Sequence, residues 1–192
     1  MRYAPNQREM THARIISASS RIFAQRGYHG TGVHAVMKAA GMTAGGFYAH
    51  FPSKEALFRE SLVAAFHAFR KRLAGEIGGR GRPASASDFV RQYFEVDRKA
   101  EAGEGFPINA LAPDVARSGQ VVREKFEEEL RRTAETVAAR MRKGATPPGE
   151  TALAILALCS GAILLSRAVE SPETADRIFD ACGRFAERAG GG

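Results

Sequence analysis

Residues 31–54 read TGVHAVMKAAGMTAGGFYAHFPSK, and this stretch decides the fold. It predicts two short helices hinged at Gly41, with a further helix starting at Ser53. Thr31 can cap the first helix with its side-chain oxygen, Val33, Val36 and Ala40 recur on one face, and Gly41 can take the left-handed conformation that ends it. Thr43 stands where it would cap the second helix, which carries Phe47 inward and Tyr48 to its other side. Pro52 then stops that helix and Ser53 caps the next. Two helices crossing steeply through a short turn form the unit that presents its second helix to a major groove.

Charge placement agrees with a DNA reader. The 192-residue chain has formal charge +7, and the excess is uneven. In residues 1–72, 11 Lys and Arg stand against 3 Asp and Glu, whereas the remainder carries 17 against 18. All five histidines (His12, His29, His34, His50 and His67) lie in this basic part, where a polyanion would favour their protonated forms. Such a field attracts phosphates regardless of sequence and makes binding salt-dependent.

The residues Thr31, Val36, Ala39-Ala40-Gly41, Thr43-x-Gly45-x-Phe47-Tyr48-x-His50-Phe51 and Ser53-Lys54-Glu55-Ala56-Leu57 closely resemble the amino-terminal signature of the TetR/AcrR family of bacterial transcriptional regulators. The resemblance covers about residues 8–62 and includes an initial helix, roughly 11–26, ending in Phe23-Ala24-Gln25-Arg26-Gly27-Tyr28. Two positions depart from the commoner pattern: Met37 replaces a small alanine, and Gly46 stands where a polar side chain often reaches a base. The resemblance implies phosphate contacts from Tyr48, His50 and Lys54. Base readout would fall to Thr43, Ala44, Gly45 and Gly46, with Lys38 or His34 from the preceding helix and Thr31 beside them. Two adjacent glycines cost about 1 kcal/mol each in a helix relative to alanine, which close approach to the duplex would explain. The set lacks the Arg, Asn and Gln forks that read purines, so DNA shape and bridging water are expected to carry much of the specificity.

Beyond residue 58 the periodicity is helical, giving an all-α chain of about nine helices. Residues 1–57 are expected to form the helix-turn-helix DNA-binding domain, and 58–189 a larger ligand-binding and dimerisation domain. The fourth helix, about 53–74, would act as a lever between them. Further helices are expected at about 88–102, 108–116, 118–143, 150–169 and 172–188. Hydrophobic residues make up 44% of the chain, enough for a substantial core. Residues 1–10 do not resemble a signal peptide, and the apolar stretch 152–166 is shorter than the roughly 20 residues that cross a bilayer, so a cytoplasmic protein without membrane contact is expected. Cys159 and Cys182 are read as packing residues, with redox sensing the alternative.

One reader spans few base pairs, so a homodimer on a palindromic operator is expected, with recognition helices about 34 Å apart or more. The stretch 152–165 is apolar all round, as when one side meets its own domain and the other a second subunit. Leu153, Leu156, Ala157, Gly161, Leu164 and Ala168, with Ile178, Phe179, Cys182 and Phe185 of the last helix, are the expected interface. The family resemblance implies a small-molecule effector, here expected to be largely apolar or aromatic. Its candidate contacts are Phe66, Phe69, Gln92, Tyr93, Phe106, Asn109 and Phe126, with Asp114 as a further polar group. Repression relieved by ligand is the default, and activation the alternative. The resemblance implies no cofactor, and the larger domain has no histidine for a metal site. Neither a nucleophile with its base nor a phosphate loop stands out, and the acidic run Glu127-Glu128-Glu129 reads as a solvated helix face, so the chain is expected not to be an enzyme. A sequence-neutral architectural protein would rely on the basic field alone, which the acidic-to-neutral second part disfavours.

Overall fold

Two glycines in the left-handed region, Gly27 at φ 71° and Gly41 at φ 69°, set the course of the amino-terminal third. They appear in a computed structural model that describes residues 5–76, 85–99, 107–141 and 147–190. Among these residues the structure has nine helices: α1 (Pro5–Arg26), α2 (Val33–Ala39), the 3₁₀ helix η1 (Ala44–Ala49), α3 (Lys54–Glu76), α4 (Ala86–Lys99), α5 (Pro107–Ala116), α6 (Gln120–Ala138), α7 (Pro148–Ala168) and α8 (Pro172–Gly190). No β-strand occurs among the described residues. Packing divides the chain into two compact units, Met1–His67 with Glu101–Glu127, and Ala68–Ala100 with Glu128–Gly192.

In the first unit, Phe23, Val36, Met37, Phe47, Phe51 and Phe58 are buried in one core, to which α5 adds Leu111 and Val115. The three-helix head therefore shares its interior with α5, a partner that motif spacing does not reveal. In the second unit α4, α7 and α8 pack against one another. Tyr93 lies edge-on to Phe69 at 5.8 Å, and Phe94 meets Phe179 at 4.6 Å.

Several expectations are corrected. The second motif helix is a six-residue 3₁₀ segment, and Thr43 holds its cap position without a side-chain cap bond. Two glycines and a nearby Pro52 leave too little helix-forming sequence for a regular α-helix, whereas short 3₁₀ turns tolerate it. Gly32, not Thr31, caps α2; Thr31 is buried and its hydroxyl donates to the Gly27 carbonyl at 2.7 Å. Ser53 does cap α3, accepting from the Ala56 amide at 3.0 Å. α7 has 21 residues and is long and apolar enough to cross a bilayer by length and composition, unlike the shorter stretch expected. One stripe of it, including Ile155, Cys159 and Ile163, is buried.

The acidic run is not wholly solvated either. Glu129 is fully buried and pairs with Arg70 Nη2 at 2.7 Å, while Arg132 binds Glu128 and Glu129. Arg70 also donates to the Thr133 hydroxyl and the Glu129 carbonyl. Removing one partner of a buried pair leaves an uncompensated charge. Glu129→Ala should thus destabilise the protein by about 3 kcal/mol in denaturant unfolding, whereas Glu127→Ala, at an exposed position, should stay within about 0.5 kcal/mol.

Candidate DNA-binding interface

The turn after α2 is closed by its own backbone. The Gly41 amide donates to the Lys38 carbonyl at 3.0 Å and the Met42 amide to the Met37 carbonyl at 2.8 Å, the paired bonds of a Schellman ending. Arg14 of α1 adds a bond from Nε to the Ala40 carbonyl at 3.0 Å, placing a cation at the negative end of α2. Arg8 likewise donates to the Ala49 carbonyl at 3.1 Å, holding the end of η1 to α1. Two arginines of the basic segment thereby fix the geometry of the two motif helices.

Along η1, inside and outside alternate sharply. Phe47 is 0% exposed and stacks on Phe51, whereas Tyr48 is 75% exposed. His34, Lys38, Thr43 and Gly45 are exposed, and Ala44, Gly46, His50 and Lys54 are half-buried. Thr31 is the expected contact that the structure withdraws from the surface. Gly45 borders open space, while a methyl at Gly46 would lie 3.7 Å from the end of Met37. The two departures from the family pattern thus meet in space: the larger Met37 fills the place beside a residue that has no side chain.

Lys54 lies with Nζ 4.1 Å above the Tyr28 ring. Burial lowers its pKa from the ordinary lysine value, opposed by the negative charge of Asp114. The pKa of Tyr28 itself is raised, mainly by burial and then by Glu55. His12 bonds Glu60 at 2.7 Å and stacks on Phe51, with His50 tilted beside it at 6.1 Å. The pKa of His50 is lowered, first by burial and then by His12 and Arg8, and its Nδ1 is buried without a hydrogen-bond partner.

The residues expected to touch an effector fall into two groups. Phe66 and Phe126 meet edge-on at 5.4 Å in the first unit, which also holds Asn109; Phe69, Gln92 and Tyr93 belong to the second, and Phe106 lies outside the described residues. Both amide atoms of Asn109 are buried without a hydrogen-bond partner. Asp114, by contrast, is committed: it accepts from the Tyr28 amide and pairs with Arg117. Of the expected interface residues, Leu153, Ala157, Leu164, Ala168 and Phe185 are exposed and Gly161, Ile178, Phe179 and Cys182 half-buried, but Leu156 is buried within its own unit and cannot face a second subunit. Leu165, 57% exposed beside Leu164, extends the exposed apolar surface of α7, and the all-apolar sequence gives no phase from which to expect it. Burial raises the pKa of both cysteine thiols, that of Cys159 strongly, which keeps them protonated and suits packing.

The sequence profile described as "Bacterial regulatory proteins, tetR family" matches residues 15–61, the segment from the middle of α1 to the first turns of α3. The matched segment belongs to the TetR family. The HTH-type transcriptional regulator LmrA of Bacillus subtilis (strain 168) is 28% identical over 158 residues, covering 80% of this chain and 84% of LmrA. A TetR-family regulator from Cytophaga hutchinsonii has the same fold, with a TM-score of 0.78 at 18% identity over 95% of this chain and 96% of that one. AibR, crystallised with isovaleryl coenzyme A and operator DNA, aligns with a TM-score of 0.63 at 18% identity over 90% and 96% of the two chains. With a TetR-family segment near its amino end and an HTH-type regulator as a relative over most of its length, the chain is a DNA-binding transcriptional regulator rather than an enzyme.

Gly45→Ala should leave the melting temperature unchanged or slightly raised, because the methyl enters open space and alanine favours helix. If backbone approach to the duplex requires the glycine, the same variant should bind operator at least about ten-fold more weakly in a fluorescence-anisotropy titration. His50 makes a second testable contribution. Its folded pKa lies below the ordinary 6.5, so the stability it supplies is present above pH 6.5 and is lost as pH falls below that value. Urea unfolding at roughly pH 7.5 and about pH 5.5 should show a smaller loss for His50→Gln than for the wild type.

Proposed function

We propose that the chain is a cytoplasmic homodimeric repressor that grips a palindromic operator and is released by a small, largely apolar or aromatic ligand. Residues 1–57 act as the DNA-binding domain, and 58–189 as the ligand-binding and dimerisation domain. The observation that carries the DNA reading is the alternation in η1, where a fully buried Phe47 anchors the segment while Tyr48 projects into solvent. Around it, Tyr48, His50 and Lys54 serve as phosphate contacts, and His34, Lys38, Thr43, Ala44, Gly45 and Gly46 face the base edges.

Dimerisation is supported by α7 and α8. Leu164 is 57% and Phe185 63% exposed, and Leu153, Ala157, Leu164 and Ala168 recur at helical spacing on the side of α7 away from its buried stripe. Exposed apolar surface of this kind marks an association site. The effector reading is supported by the unpaired amide of Asn109 and by the aromatic pairs Phe66–Phe126 and Phe69–Tyr93. AibR, of the same fold, holds an acyl-coenzyme A and DNA, which makes a ligand-responsive regulator the natural reading here. The ligand acts by its differential affinity for the DNA-bound and free conformations.

Selection of duplexes from a random-sequence pool should yield an inverted repeat, and an asymmetric or random pool would refute the palindromic operator. Lys54→Gln should weaken selected and random DNA alike and lower the slope of log affinity against log salt by about 1. Thr43→Ala should instead reduce discrimination between the two, by roughly ten-fold. A double Leu164→Arg, Phe185→Arg variant should sediment as a monomer; an unchanged dimer would place the interface elsewhere.

A further inference from the structure

The turns that end α1 and α2 share a positive-φ glycine but close by different bonds. Each glycine, Gly27 and Gly41, is followed by a residue whose amide can close on its own helix in a Schellman ending but is left free of it in the single-bond αL ending. After α2, the Met42 amide closes on its own helix. After α1, the Gly27 amide bonds the Phe23 carbonyl, but the Tyr28 amide donates to Asp114 Oδ2 of α5, 86 residues away, at 2.7 Å. Asp114 is 5% exposed, and its other oxygen is held by Arg117 at 3.0 Å. The approach is close: a Cβ on Gly27 would stand 2.9 Å from Asp114 Oδ2.

The anchored turn is joined to both parts of the reader. Thr31, bonded to the Gly27 carbonyl, leads directly into α2. The Tyr28 ring packs on Phe58 at 4.8 Å, one turn along α3 from Lys54, and lies under the Lys54 ammonium. We infer that Asp114 is a positioning residue for DNA binding: its carboxylate, carried by α5, fixes the turn after α1 and through Tyr28 holds Lys54 where a phosphate can meet it, so that displacement of α5 is felt as a loss of operator affinity. This rests on the reading of Lys54 as a phosphate contact.

The test uses full-length protein and the duplex selected by the wild type from a random pool, titrated across salt concentrations. Asp114→Ala should weaken binding roughly five-fold and lower the salt slope by about 1, as Lys54→Gln does. Asp114→Asn, which retains an acceptor for the Tyr28 amide, should recover part of both. The double variant Asp114→Ala, Lys54→Gln should bind no more weakly than the weaker single variant, because both remove one contact. A merely structural aspartate would lower the melting temperature while leaving affinity and salt slope as in the wild type, and that result, or full additivity in the double variant, overturns the proposal. If Asp114→Ala does not fold, Arg117→Gln, altering a side chain 61% exposed, carries the test with a smaller shift in the same direction; no shift overturns it. Should Lys54→Gln itself leave the slope unchanged, the phosphate contact falls and this inference with it; an unchanged Asp114→Ala beside an altered Lys54→Gln refutes the inference alone.

Discussion

The reader depends on the burial of Phe47 and Phe51 against α1 and α3. η1 is six residues long, contains two glycines and has no side-chain cap, so nothing intrinsic to it would hold a helical shape in water. Its order comes from the rings at its inner face, which lie in a core shared with Phe23, Val36, Met37 and Phe58. That arrangement frees the outer face from structural duty. Tyr48, Thr43 and Gly45 can then be chosen for what they meet outside the protein rather than for what they support within it.

Polar anchors complete the scaffold by fixing angles that packing alone would leave loose. Arg14 and Arg8 bind carbonyls at the ends of α2 and η1, and Asp114 takes the Tyr28 amide. Each satisfies a backbone group at a helix end or turn where the regular hydrogen-bond pattern runs out. The basic segment therefore has two duties. Some of its cations orient the motif, while Lys38 and Lys54 remain near the surface.

Local features were legible in sequence because their causes are local. A glycine after a short helix, a serine three residues before an amide and an aromatic pair that straddles two faces all act within one turn, and Gly41, Ser53 and Phe47-Tyr48 behave as their spacing implies. The helix count follows in the same way from periodicity. The 3₁₀ character of η1 was not legible, since six residues cannot distinguish a repeat of 3.0 from one of 3.6. Glu129 looked solvated within an acidic run because its partner Arg70 lies on another helix. The bond from Asp114 to the Tyr28 amide is hidden from sequence for a like reason, since that amide belongs to a turn 86 residues away. On α7, uniform apolarity does not say which residues form the buried stripe.

Met37 and Gly46 carry a consequence for redesign of the reader. The methionine end sits within van der Waals reach of where a side chain at 46 would begin, with the end of Met42 close by. An alanine could be accommodated, but a longer graft intended to reach a base would contend with both thioethers for the same volume. The two positions therefore form one mutational unit: altering specificity by enlarging residue 46 calls for trimming residue 37 at the same time.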